Sequence, residues 1–252
     1  MLEVSVDDQG VTLVMFDRPE KSNSLTYEFW TDIQALAMDA EADDTVRAVV
    51  VAGKGRNFCA GGDIDGFGDL ADVPARRRFQ EVAFAGFRAW ERLSKPTIAA
   101  VHGYALGGGC ELTMITDLVV ADTTARFGVP EASVGLMPGL GVVRGPANTN
   151  LHWLKYMIYT GEHLSGEEAR LAGLVNLVVD ERQHLEKSIE LGRRIAGKPA
   201  TALRVAKRIL NRGSDEGYDY SLEATSLLHS TEDQREGVAA FRDKRAPQFK
   251  DR

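Results

Sequence analysis

The sequence predicts an α/β fold. Residues 48–52, 97–101 and 118–121 are short runs with the composition of buried strands, and stretches with apolar residues at helical spacing separate them. The chain has 252 residues and 44% apolar content, which suffices for one large core or a core plus a smaller appended unit.

The elements follow in chain order. Between residues 4 and 16, β-rich runs flank Asp7-Asp8-Gln9-Gly10, a Gly-containing turn that makes the segment a hairpin. Thr26 is an N-cap candidate, since Phe29, Ile33, Leu36, Ala37 and Ala40 then recur on one helical face. The strand at 48–52 follows, then an amphipathic helix over about 76–93, a strand at 97–101, a helix after Gly109 and a strand at 118–121. From Gly166 the pattern is mainly helical; Gly197-Lys198-Pro199 breaks it before a second helical block to about Arg212 and a third near the end. This divides the chain into an α/β core over residues 1–196 and a helical C-terminal region over 197–252, although one continuous fold is equally allowed.

Composition narrows the function classes. A formal charge of -7 argues against a nucleic-acid surface, the clusters Arg76-Arg77-Arg78 and Arg193-Arg194 reading as solvated helix faces. No apolar run approaches the roughly 18 residues needed to span a bilayer, and the N-terminus lacks a basic segment followed by an apolar one, so a cytoplasmic protein is expected. Cys59 and Cys110 are too few for a disulfide framework and read as reduced packing residues. The five histidines show no metal-ligand spacing. Two nucleotide motifs fail: Gly192 to Lys198 lacks the Ser or Thr of a phosphate loop because Pro199 stands there, and Arg144 occupies the third glycine position after Gly139 and Gly141. Ser133 lacks the first glycine of a nucleophile elbow, which Glu131 replaces. No bound cofactor is therefore expected.

Two Gly-rich segments carry the chemistry. Asn57-Phe-Cys-Ala-Gly-Gly-Asp63-Ile64-Asp65 follows the strand at 48–52 at its carboxyl end, where open α/β sheets hold ligands. His102-Gly-Tyr-Ala-Leu-Gly-Gly-Gly109-Cys-Glu111 leads from the next strand into a helix whose first N–H groups favour negative charge. Either alone reads as an ordinary turn. Together they offer two converging donors for an enolate oxygen, worth roughly 3 to 4 kcal/mol each in a dry pocket. Glu111 lies just inside the helix and Glu131 on a turn after the following strand, so two carboxylates could face one pocket, as base and acid. The spacing equally allows a helix-cap glutamate and a surface glutamate.

These residues resemble the enoyl-CoA hydratase/isomerase (crotonase) family over nearly the whole chain. The resemblance rests on Arg18-Pro-Glu-Lys-Ser-Asn23-Ser-Leu25, Phe58-Cys-Ala-Gly-Gly-Asp63-Ile64, Ala100-Val-His-Gly-Tyr-Ala-Leu-Gly-Gly-Gly-Cys-Glu111, Phe127-Gly-Val-Pro-Glu131, Gly135-Leu-Met-Pro-Gly139 and Glu236-Gly-Val-Ala-Ala-Phe241-Arg-Asp-Lys244-Arg245. It implies a spiral of ββα turns with a helical C-terminal trimerisation region, assembled as a homotrimer or a dimer of trimers. It further implies an acyl-CoA thioester as substrate and an oxyanion hole from the N–H groups of Gly62 and Gly108. The adenine and pantetheine would run past Ala60 and the backbone from Gly62 through Asp63 and Ile64 to Asp65, with Phe241 and Lys244 of a neighbouring subunit near the nucleotide. Members with glutamate at both positions resemble hydratases: Glu111 would activate water, Glu131 would pass a proton to the α-carbon, and the Gly139 N–H would help place the water. The chain departs from the pattern at Gly141-Val142-Val143-Arg144, where Gly-Gly-Thr-Gln is common, and at Asp65, where a lysine is frequent. Either Asp65 points to solvent, or another cation such as Lys21 or Lys244 compensates its charge beside a polyanionic ligand. Alternatives are isomerisation, decarboxylation or thioester hydrolysis by the same oxyanion hole, or acyl-CoA binding without catalysis.

Overall fold

The computed structural model describes residues 1–63, 73–134 and 136–211, together with residues 232, 236, 240, 243–245, 247, 248 and 250. A six-stranded sheet forms the centre. Its strands are β1 (Leu2–Val6), β2 (Val11–Phe16), β3 (Ala48–Gly53), β4 (Thr97–Val101), β6 (Leu118–Asp122) and β9 (Leu177–Val179), hydrogen-bonded in that order. The β1–β2 hairpin is antiparallel, turned at Gly10 with φ 79°, and every later pairing is parallel. A second sheet of three very short strands joins β5 (Tyr104–Leu106), β7 (Arg126–Gly128) and β8 (Leu164–Ser165).

All six residues of β3 are buried, and the strand period divides them between two cores. Val49 and Val51 face the larger one with Ile33, Phe87 and Trp90, from α1 (Tyr27–Ala42) and α2 (Val73–Arg92). Val50 and Ala52 face Val11, Ile98 and Val120, against Leu185, Leu191 and Ile195 of α7 (His184–Ala196). A parallel strand buried on both faces reads as a continuous apolar run, which is why 48–52 stands out in the sequence. Thr26 caps α1 as its position suggests, its Oγ1 accepting from the Phe29 N–H at 3.2 Å. Gly192, part of the discarded phosphate-loop match, lies buried within α7 against Val11.

The chain climbs in turns of strand, short strand and helix. From β4 it passes to β5 and then α3 (Gly108–Met114); from β6 it passes to β7, the 3₁₀ turn Pro130–Val134 and α4 (Gly141–Asn148). Isolated bridges Leu25–Gly62 and Cys59–Ala105 supply the matching short step after β2 and β3. This is the ββα spiral. Beyond it, α5 (Leu151–Thr160) and α6 (Gly166–Leu171) precede β9, a strand within a stretch whose pattern is mainly helical. After the Gly197-Lys198-Pro199 break, α8 (Ala200–Leu210) sends Lys207 to Asp117 at 2.6 Å. Of the helical C-terminal region expected over 197–252, residues 197–211 are described, and most of residues 212–252 lie outside the described residues. Among the described residues no helix is long and apolar enough to cross a membrane.

One buried side chain ties the spiral's first turns together. Asn23, with φ 54°, donates its amide to the carbonyls of Lys54 (2.9 Å), Asn57 (2.8 Å) and Phe58 (3.1 Å) and accepts from the Arg18 N–H (3.0 Å). Asn tolerates the left-handed conformation and carries both donors and an acceptor, so few other residues meet these demands. Asn23→Ala strands buried backbone carbonyls and lowers unfolding free energy by about 2–4 kcal/mol in urea titrations; a loss below about 0.5 kcal/mol contradicts this role.

Candidate active site

Two glycines in the left-handed region bring the Gly-rich segments into backbone contact. Gly61 has φ 93° and Gly107 φ 52°. A methyl group on Gly61 would lie 2.8 Å from the Leu106 carbonyl oxygen and 3.5 Å from the Gly107 Cα, so only glycine permits the approach. Gly62 and Gly108 are the next residues on each side. Leu25 donates to the Gly61 carbonyl and accepts from the Asp63 N–H, which brackets Gly62 and turns its N–H toward the opposite edge. Gly108 begins α3, where the first N–H groups have no partner within the helix.

The two glutamates flank the same peptide. A methyl group on Gly107 would stand 3.0 Å from Glu131 Oε1, and one on Gly108 would stand 3.9 Å from Glu111 Oε2. Glu111 is only 5% exposed, so it is not a helix-cap residue facing solvent. Its Oε1 accepts from the N–H groups of Leu140 (2.8 Å) and Gly141 (2.7 Å), at the start of α4. Burial raises its proton affinity above the ordinary glutamate range, and those two donors draw it partly back. Burial, reinforced by the Glu111 charge, pushes the Glu131 carboxyl up to about 7. Its Oε2 is sealed from solvent without a hydrogen-bond partner, which also favours the neutral acid. Two carboxyl groups, both raised by burial but hydrogen-bonded differently, thus face one cavity, an arrangement suited to an acid and a base acting together.

That cavity, of about 590 Å³, is lined by Ala60, Gly62, Gly108, both glutamates and Gly139, and walled by Trp30, Phe84, Phe87 and Leu140. The Trp30 and Phe87 ring centroids lie 4.3 Å apart with the planes tilted by 54°, and Phe84 packs against Gly139. No lysine or arginine is among the described lining residues.

The cavity thus brings together Ala60, Gly62, Gly108, Glu111, Glu131 and Gly139. The Ala60 N–H is already donated to the Ser22 carbonyl at 3.0 Å. Asp63 is not among the lining residues; its carboxylate pairs with Arg18, whose Nη1 also donates to Ser24 Oγ at 2.8 Å. Lys21 and Lys244 are exposed and do not line the cavity. Ile64, Asp65 and Phe241 lie outside the described residues. Sequence reasoning did not single out Asn23, Arg18 or the Leu140 and Gly141 amides as structural partners of the site. Cys59 and Cys110 are free and buried, and burial pushes the Cys59 thiol up to about 12, which leaves it inert near neutral pH.

Gly62, Gly108 and the carboxyl groups of Glu111 and Glu131 thus line one cavity at the carboxyl ends of a largely parallel sheet, a place where acid–base chemistry on a carbonyl ligand is possible. The profile of the enoyl-CoA hydratase/isomerase family matches residues 7–252, and the chain belongs to that family. A probable enoyl-CoA hydratase of Mycobacterium bovis is 36% identical over 250 residues, covering 96% of this chain and 95% of the relative. A short-chain-enoyl-CoA hydratase of Clostridium acetobutylicum is 34% identical over 249 residues, covering 96% and 95%. The crystal structure of an enoyl-CoA hydratase from Bacillus anthracis superposes with a TM-score of 0.95 at 30% identity, covering 100% of this chain and 99% of that one.

Gly61→Ala forces a side chain into the left-handed region and against a backbone carbonyl, costing about 1–3 kcal/mol. Denaturant titration should register that loss, and calorimetry should register weaker binding of a saturated acyl-CoA. Unchanged stability and binding would contradict the close backbone approach.

Proposed function

We propose that the protein catalyses reversible addition of water to the double bond of a 2-enoyl-CoA thioester. The observation that carries this reading is the placement of a buried and a half-buried carboxyl group, Glu111 and Glu131, on either side of the Gly107–Gly108 peptide in one cavity with Gly62. Names borne by relatives, enoyl-CoA hydratase among them, support the same reading.

Glu111, ionised and oriented by Leu140 and Gly141, takes a proton from water while the water oxygen bonds to the β-carbon. Electrons move from the double bond toward the thioester oxygen, where the N–H groups of Gly62 and Gly108 stabilise the enolate charge. Glu131, neutral through burial, delivers its proton to the α-carbon. The Gly139 N–H helps place the water. One proton enters Glu111 and one leaves Glu131, so a transfer between them resets the pair. No electrons are exchanged, so the step calls for no flavin or nicotinamide, and the backbone N–H groups take the charge-stabilising role that a Lewis-acid metal could otherwise fill.

The pantetheine passes Ala60 and the backbone from Gly62 to Asp65, and the nucleotide end meets Lys21 or a neighbouring subunit's Phe241 and Lys244 in a homotrimer or dimer of trimers. Trp30, Phe84 and Phe87 suit an uncharged acyl group, because burying a carboxylate against them without a cation is costly. The protein would act in the cytoplasm, in fatty acid metabolism.

Adding the protein to 2-enoyl-CoA should bleach the absorbance of the conjugated thioester. Intact absorbance with migration of the double bond, decarboxylation or release of free CoA would move the assignment to another reaction of the family. Glu111→Gln and Glu131→Gln should each lower turnover by roughly 10² to 10⁴ with acyl-CoA affinity nearly intact. Weak binding with normal turnover would contradict those roles.

The acid must be protonated and the base ionised, so kcat falls as pH rises through the acid's value near 7 and falls again once the base is protonated. A rate that climbs steadily through pH 8 would contradict Glu131 as the acid. Gly108→Pro removes the N–H and should cost about 10² to 10³ in turnover, with circular dichroism unchanged. Gly108→Ala keeps the donor; its methyl comes within 2.8 Å of the Leu25 Cδ1 methyl, which must shift, and lies at ordinary contact distance from Trp30 and Glu111 Oε2, so it serves as the control. A folded Gly108→Pro enzyme with undiminished turnover would remove the oxyanion hole.

A further inference from the structure

The departure from the hydratase pattern at Gly141-Val142-Val143-Arg144 falls on the first turn of α4, the turn that holds Glu111. This helix is poorly equipped to hold itself. It has eight residues, Pro146 lies within it, and its N-cap residue Leu140 makes no side-chain capping bond. Isolated helices of that length do not persist in water, so its first turn depends on tertiary anchors. Val142 and Val143 are exposed, and the residues it buries, Gly141 and Gly145, contribute little apolar surface.

Arg144 supplies a long-range anchor. Its guanidinium forms an ion pair with Glu91 of α2, both side chains being largely shielded at 28% and 19% exposure. Other charges face the same region: Lys207 of α8 pairs with Asp117 after α3 and also feels Glu91, Arg204 of α8 lies 3.5 Å from Asp44, and Arg92 and Arg208 line the adjoining cavity. Glu91, Asp117, Arg144 and Lys207 line one cavity of about 410 Å³. The same α2 carries Ala83, Phe84 and Phe87 into the candidate active site, so the ion pair joins two of its walls.

We propose that Arg144 is a positioning residue for Glu111: its ion pair with Glu91 clamps α4 to α2 and so keeps the Leu140 and Gly141 N–H groups on the Glu111 carboxylate. The proposal rests on the reading of Glu111 as the group that activates water. Arginine suits the position because its long side chain reaches Glu91 through Nη2, although its Nε is buried without a hydrogen-bond partner. The titratable group facing Glu111 is Glu131, which remains in place in every variant below.

The test uses the full-length protein and the variants Arg144→Gln, Glu91→Gln and Arg144→Gln/Glu91→Gln. Hydrogen exchange followed by mass spectrometry reports on the peptide spanning Leu140 and Gly141, and kcat is measured against pH. Arg144→Gln should speed exchange of that peptide and lower kcat about ten- to a hundredfold with KM within about threefold, as misplacement of a reacting group does. The acid limb of the profile should move to higher pH, because a carboxylate losing two donors binds its proton more tightly. Glu91→Gln should move all three readouts the same way, and the double variant should stay impaired because the clamp is still absent. Wild-type exchange, kcat and pH profile in Arg144→Gln would overturn the proposal. Full recovery in the double variant would also overturn it, since the defect would then come from the unpaired Glu91 charge. If no variant and no wild-type protein hydrates any enoyl thioester, the proposed reaction fails, while the exchange result still decides whether the clamp exists.

Discussion

The site depends on a carboxylate kept in a place that would ordinarily neutralise it. Glu111 is buried among apolar walls, and taking an unpaired charge out of water costs several kcal/mol. The Leu140 and Gly141 amides offset that cost and also fix where the second oxygen faces, beside Gly108. The arrangement therefore links α3, which carries Glu111, to α4, which carries the donors. Glu131 has no such support at Oε2, and its environment raises its proton affinity to about 7. Two identical side chains come to differ through their hydrogen bonds, the division of labour that the proposed addition of water requires.

Backbone geometry supplies the other half. Gly61 and Gly107 both take positive φ, and a side chain on Gly61 would press on the Leu106 carbonyl, so the two segments meet at the cavity that Gly62 and Gly108 line. The small sheet and its isolated bridges hold these loops in register, and Asn23 locks the neighbouring turn by filling three carbonyls at once. Ser22 and Asn23 take left-handed conformations next to this joint, the kind of local strain found beside functional sites. The site is thus rigid where donors must converge, while its apolar walls come from longer helices packed on the main sheet.

Much of this was legible in the sequence, for physical reasons that differ by element. The strands β3 and β4 are continuous apolar runs because both faces are buried, and α1 shows its period and its cap plainly. The strands β5, β7 and β8 have three, three and two residues, too few for any period to register. The glycines and glutamates of the site could be named, but spacing left Glu111 readable as an exposed cap, and only its burial removes that alternative. The donors to Glu111 are main-chain groups of Leu140 and Gly141, and such groups leave no mark on residue identity. Arg144 could be seen as a departure from a pattern, yet its partner Glu91 lies 53 positions away and only the folded chain brings the two side chains together.

The central claim is that water adds across a carbon–carbon double bond conjugated to a thioester, with the CoA linkage left intact. Its most direct test is turnover of a 2-enoyl-CoA in water enriched in heavy oxygen, with the intact thioester product analysed by mass spectrometry. The account predicts one heavy oxygen in the acyl chain at the β-carbon and no free CoA. Label in a released carboxylic acid, or an unlabelled product with a displaced double bond, would contradict it.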